Sequence, residues 1–198
     1  MNDKIVIVAH RGIYNNNTIE AFQDIKNIKC NYNLGIEFDV NLSSDNHLII
    51  HHDNVDETYN KLKEDGTIEL KDVLEEFNGC TDYLLMIEIK LPSNIILKEY
   101  LNKIINLVNQ YDINYVYSSF NKSIVNYIEN CMYISDTGKQ CSVTRYDLLK
   151  KYDIMKGIYT LYDDDFKDEY MIEVLNKQVQ YLITDNVEKV IHYLDKYL

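Results

Sequence analysis

Gly35-Ile36-Glu37-Phe38-Asp39-Val40 sets two carboxylates into an otherwise apolar run of strand length. Successive side chains of a strand point to opposite faces, so Glu37 and Asp39 share one face and Ile36, Phe38 and Val40 the other. An isolated Glu-x-Asp is most simply a pair of exposed acids. Here the apolar set needs a layer of helices to pack on, which turns the acids inward near the carboxyl end of the strand. Working outward, the same parity recurs in Tyr83-Leu84-Leu85-Met86-Ile87-Glu88-Ile89-Lys90, where Glu88 and Lys90 fall together and Ile87 and Ile89 oppose them. Two further apolar runs end in polar groups: Ile5-Val6-Ile7-Val8-Ala9 leads into His10-Arg11-Gly12, and Leu48-Ile49-Ile50 into His51-His52-Asp53.

Short β-branched runs alternate with helical patterns along the whole chain, the cue for βα units around a parallel sheet. The runs predict strands at 4–9, 35–40, 83–89, 115–119, 132–135, 157–161 and 181–184. Helices are expected at 18–28, 70–77, 95–109, 122–130, 146–151, 170–176 and 187–196. Ile95, Leu101, Ile104, Ile105 and Val108 form a clear amphipathic stripe. An eighth strand, if the sheet closes, has to lie within 138–155, where residues 140–143 and Ile154 are poor candidates. Residues 53–67 are polar and read as a loop over the carboxyl edge of the sheet. With one Pro, six Gly and no repeat or low-complexity segment, residues 1–198 read as one domain.

The inward side chains carry the chemistry. Glu37 and Asp39 repel unless a cation joins them, most simply a hard, oxygen-liking ion such as Mg2+ or Ca2+, and Glu88 is a third candidate ligand. Lys90 offers a point charge, and Arg11 a planar fork, for phosphate oxygens. A salt-bridge network among these five groups is the plain alternative, but buried ion networks stabilise poorly, so a task explains them better. His10 has the imidazole that moves protons near neutrality, although a histidine at a strand end is more often just hydrogen-bonded. A second proton carrier is available in His51 or His52, and strand parity does not choose between them. Gly12 suits a tight turn.

Composition bounds the partners. Thirty-two acidic against 20 basic residues give a net charge of −12, with no Lys/Arg-rich block, which argues against nucleic acid and anionic lipid. A phosphate-bearing small molecule would have to be captured at a local cationic centre. Apolar runs are strand-sized, far below the ~20 residues of a membrane span, so no stable membrane insertion is expected. Cys30, Cys80, Cys131 and Cys141 lie far apart, with no CxxC pair. They are expected to be reduced, mostly buried thiols in a cytoplasmic protein without a secretory leader. The sequence does not specify an oligomeric state.

Taken in order, His10-Arg11-Gly12, Asn17-Thr18 with Ala21-Phe22, Glu37-x-Asp39-Val40, His52-Asp53, Glu88-x-Lys90, Ser119-Phe120, Tyr159-Thr160 and Ile183-Thr184-Asp185 resemble the glycerophosphodiester phosphodiesterases. The resemblance implies a compact TIM (β/α)8 barrel and metal-dependent hydrolysis of glycerophosphodiesters to an alcohol and glycerol 3-phosphate. It implies a divalent ion on Glu37, Asp39 and Glu88, acid/base catalysis by His10 and His52, and phosphate binding by Arg11 and Lys90. The family's His-Asp dipeptide selects His52 over His51. Three departures stand out. Asn16 replaces the family's usual Glu, which bears on metal binding or on the hydrogen bonds around His10. The segment between His52 and Glu88 is short, so the insertion that caps the barrel mouth is reduced, and Tyr159 replaces a Trp of the pocket wall. A lysophospholipid phosphodiesterase forming a cyclic phosphate and a non-catalytic barrel serving as a binding module are the alternative readings.

Overall fold

Strands buried on both faces need helices outside and side chains within, and the chain supplies both. A computed structural model describes residues 5–14, 16–93, 95–135, 142–145, 156–161 and 168–198. Among the described residues nine strands follow in chain order: β1 (Val6–His10), β2 (Asn33–Leu42), β3 (Leu48–Ile50), β4 (Tyr83–Ile89), β5 (Asn114–Ser119), β6 (Met132–Ser135), β7 (Val143–Arg145), β8 (Gly157–Leu161) and β9 (Tyr181–Thr184). All pair in parallel except β3, which folds back antiparallel on β2. Because β1 pairs with both β2 and β9, the eight parallel strands close into a barrel of the TIM type, as the alternation of elements predicts.

The described helices are α1 (Ile19–Gln23, continued by a 3-10 turn over Asp24–Asn27), α2 (Tyr59–Glu64), α3 (Leu70–Phe77), α4 (Leu97–Val108), α5 (Lys122–Tyr127), α6 (Asp168–Asn176) and α7 (Val187–Tyr197). The expected helix at 146–151 lies outside the described residues. Outward strand residues Ile36, Phe38, Val40, Leu85, Ile87 and Ile89 form one buried cluster with Leu101 and Ile104 of α4 and Leu74 and Phe77 of α3. A second, smaller cluster of Val8, Leu84, Met86, Met132, Ile134, Val143 and Ile183 fills the barrel. The two clusters are the two faces that period-two alternation assigns, and the inner one leaves room for polar groups only towards the carboxyl ends.

Two expectations need correction, while the eighth barrel strand falls within 138–155 as expected: it is β7, built on Val143 at the end of the weak stretch 140–143. It spans only three residues, held by pairing of Ile134 with Val143 and of Val143 with Gly157. Such a strand draws its conformation from its neighbours, so its own sequence has no period to read. The polar stretch 53–67 is not all loop: α2 forms there, seating Tyr59 and Leu62 on Ile49 in a third small cluster. Finally, Cys30, Cys80 and Cys131 are free as expected but half-buried, packed at the margin of the outer core. Burial pushes the Cys131 thiol up to about 12, well away from thiolate chemistry. Cys141 lies outside the described residues.

Candidate active site

At the carboxyl end of β1 the chain turns sharply: Arg11 has φ 55° and Gly12 φ 82°. A Cβ on Gly12 would lie 2.8 Å from Ala21 Cβ and 2.9 Å from Phe22, so the turn presses against α1 and admits no side chain. Arg11 is an L residue held in the left-handed region, a strained conformation that marks functional turns. The strain aims two groups at one place: the Arg11 backbone N–H donates to Glu37 Oε2 at 3.1 Å, and Arg11 Nε pairs with Asp39 Oδ2 at 3.0 Å.

Glu37, Asp39 and Glu88 are buried, and one oxygen from each lies within 4.8 Å of the others. The pairing of Asp39 with Glu88 across β2 and β4 brings the two strands' acids level. Lys90 Nζ binds Asp39 Oδ1 at 2.8 Å and also Glu88 Oε1, while Asn17 Nδ2 donates to Asp39 Oδ2 at 3.0 Å. Both expected phosphate-binding cations thus stand at the pocket with their charge turned to the acids. Burial, then the Asp39 and Glu88 carboxylates, raise the Glu37 pKa well above the ordinary carboxyl range. Burial also raises Glu88, although Lys90 opposes it. For Asp39, burial acts in the same sense but Lys90, Asn17 and Arg11 outweigh it, so its pKa is lowered. Lys90 is raised: burial disfavours its charge, and the Glu88 and Asp39 carboxylates more than compensate.

The donor set suits a hard divalent cation, being three carboxylates with no sulfur or imidazole among them. One atom makes the fit specific. Glu37 Oε1 is buried with no hydrogen-bond partner, a costly arrangement that a bound cation would relieve.

His10 stands beside this cluster. Its Nδ1 meets Asp185 Oδ1 at 2.7 Å and its Nε2 lies 4.0 Å from Glu37 Oε2, so the Asp185 carboxylate fixes the ring and presents Nε2 to the acids. A pocket of about 150 Å³ is lined by His10, Arg11, Glu37, His52, Glu88 and Lys90, with Phe120, Ile134, Tyr159 and Ile183 as its apolar wall. His52, not His51, therefore shares a pocket with His10. His52 Nδ1 is held by Asp53 Oδ1 at 2.8 Å, whereas His51 Nδ1 meets the Asp53 carbonyl at 2.9 Å and faces a neighbouring cleft. Phe120 and Tyr159 meet edge to face at 5.6 Å, and Lys90 Nζ lies 5.9 Å from the Phe120 ring.

All seven sequence-derived candidates, His10, Arg11, Glu37, Asp39, His52, Glu88 and Lys90, thus converge on one place. Asn16 does not join them: it is exposed, its Oδ1 accepting from Thr18 Oγ1 at 3.1 Å on the side of the neighbouring cleft. Sequence reasoning gave no role to Asn17 or Asp185, whose partners lie 22 and 175 residues away. The signal for Asp185 was present, an acid directly after β9, in register with His10 because Ala9 of β1 pairs with Thr184.

Residues 9–63 match the family model of the Glycerophosphoryl diester phosphodiesterase family. No curated protein matches the chain in sequence. Among solved structures, a glycerophosphodiester phosphodiesterase from Thermotoga maritima is similar at TM-score 0.69 and 22% identity, over 95% of this chain and 97% of its own. A phosphodiesterase from Oleispira antarctica, in complex with the product sn-glycerol-3-phosphate, is similar at TM-score 0.70 and 17% identity, over 96% of each chain. A glycerophosphodiester phosphodiesterase from Agrobacterium tumefaciens gives TM-score 0.67 and 18% identity, covering 93% of this chain and 98% of its own. At these identities the likeness speaks for the barrel fold, while the family match covers the segment that carries the His10 turn and the Glu37 strand.

Proposed function

We propose, from the likeness of residues 9–63 to the glycerophosphoryl diester phosphodiesterase family model, that the chain hydrolyses glycerophosphodiesters to an alcohol and glycerol 3-phosphate. The observation that carries this reading is the convergence of two carboxylate-anchored histidines on a buried three-carboxylate cluster with two cations in one pocket.

In this reading Glu37, Asp39 and Glu88 hold a divalent ion, Mg2+ or Ca2+, which when bound would supply charge neutralisation and polarisation of the phosphoryl oxygens. Arg11 and Lys90 steady the phosphate of a small-molecule diester. A P–O bond forms to the attacking oxygen as the P–O bond to the alcohol breaks. One histidine takes the proton from the attacking group and the other delivers one to the departing alkoxide. Asp185 and Asp53 anchor Nδ1 of their rings, which leaves each Nε2 for the exchange. Phe120 and Tyr159 present apolar surface that limits water around the reacting centre. The setting we propose is cytoplasmic.

The test is release of glycerol 3-phosphate from glycerophosphoethanolamine and glycerophosphocholine with Mg2+, Ca2+ or a chelator. Metal-dependent release by the wild type, reduced about 10²–10⁴-fold in His10→Ala, is the expected result. Metal binding without turnover of any glycerophosphodiester would return the chain to the class of binding modules.

A further inference from the structure

β5 carries two serines in succession, and strand alternation sends them to opposite faces. Ser119 is satisfied: its Oγ donates to the Ile89 carbonyl at 2.7 Å and accepts from the Asn121 N–H at 3.1 Å. Ser118 is fully buried, and its Oγ has no hydrogen-bond partner. Its direction follows from its neighbours. Val116, two residues earlier, packs against the cluster that fills the barrel, and Met132, its partner on β6, belongs to that cluster. On the other side Ser118 pairs with Glu88 of β4, which in turn pairs with Asp39 of β2. The three residues therefore lie level on one inner rung, each about 4.8 Å from the next along the sheet, with the Ser118 hydroxyl beside the Glu88 side chain. A buried hydroxyl without a partner is costly to keep and asks for a reason.

Glu88 supplies one. Lys90 Nζ donates to Glu88 Oε1 and is paired with Asp39 Oδ1 as well, so one ammonium orients both carboxylates. A divalent ion on the same carboxylates would repel that ammonium, and Lys90 is also the group read above as steadying the phosphate. Glu88 would then lose its donor at the moment its angle matters most, since a ligating carboxylate is held in place by the hydrogen bonds behind it. We propose that Ser118 is a positioning residue of the metal centre, its hydroxyl taking over from Lys90 as the donor to Glu88 when a divalent cation sits on the three carboxylates. Ser118 itself touches neither the ion nor the substrate. The assignment rests on the metal reading above and extends it to a residue on the next strand.

Calorimetric titration with Mg2+ and Ca2+ at pH 8, together with thermal unfolding in chelator, tests it on the wild type, Ser118→Ala and Ser119→Ala. Ser118→Ala should weaken divalent-ion affinity about 10–100-fold. Its Tm in chelator should equal or exceed that of the wild type, because the substitution breaks no hydrogen bond there. Ser119→Ala breaks two and should do the reverse, lowering Tm in chelator with affinity kept. A Ser118→Ala protein with a lower Tm in chelator and unchanged affinity would make the hydroxyl a structural one and overturn the assignment, as would equal losses of affinity in the two variants. If the wild type binds neither ion, the metal reading itself falls, and the role of Ser118 with it.

Discussion

Each histidine of the site is fixed by a carboxylate at Nδ1, and the more buried pair is the better defined. Asp185 accepts from His10 over 2.7 Å and so sets both the ring angle and the tautomer that leaves Nε2 free. An amide in its place can donate to Nδ1 and hold the opposite tautomer. Asp185→Asn should therefore lower kcat about 10–100-fold while metal affinity by calorimetry stays at the wild-type value. A matching fall in metal affinity would mean that the residue only holds the fold. Gly12 answers for the turn: a methyl there meets Ala21 at 2.8 Å and a φ of +82° that L residues avoid. Gly12→Ala should cost about 2 kcal/mol or more, read as a lower urea midpoint. The inward acids were legible residue by residue because strand alternation is local. Asn17 and Asp185 were not, because their roles exist only once residues 22 and 175 positions distant meet them.

Among the elements, β3 and α2 decide where the second histidine goes. β2 runs past the barrel rim, β3 returns antiparallel along Val40–Leu42, and the chain leaves β3 at His51 and His52. α2 then packs Tyr59 and Leu62 on Ile49, while Tyr59 stacks on His47 at 4.9 Å. This cluster is small and separate from the main core, so it should open by itself. Leu62→Ala should cost that unit about 2–3 kcal/mol and speed amide exchange across residues 58–67, with the barrel strands still protected. Uniform loss of protection through the barrel would show that α2 belongs to the global unit. The polar sequence of 53–67 hid this helix because two apolar residues suffice to dock a six-residue element. β7 was hidden for a related reason, its three residues being too few for any period.

At the scale of the whole molecule, the site gathers three buried carboxylates in a chain that already carries a net charge of −12. Glu37 and Glu88 have raised pKa values, so the stability they contribute is complete below the ordinary carboxyl range and is lost as pH rises through their raised values. Asp39 is lowered, so its contribution is present above the ordinary range and lost only as pH falls through its lowered value. A divalent ion requires the charged carboxylates and displaces protons. The rise in Tm on adding Mg2+ or Ca2+ should therefore be larger at pH 8 than at pH 5, and Glu37→Gln should abolish the difference. An equal rise at both pH values would remove the three acids from the metal site. Among the described residues no helix is long and apolar enough to cross a membrane.

By itself the sequence determined the class of architecture, the faces of β2 and β4 and the group of residues that meet at the barrel mouth. Those follow from alternation and periodicity, which act between neighbours in the chain. Only the tertiary structure decided that Val143 closes the barrel and that Asp185 and Asn17 hold the site's reacting and charged groups. Each of these depends on which distant segments come to lie side by side, and that is fixed by the closing of the sheet and the packing of its two apolar layers rather than by any local preference.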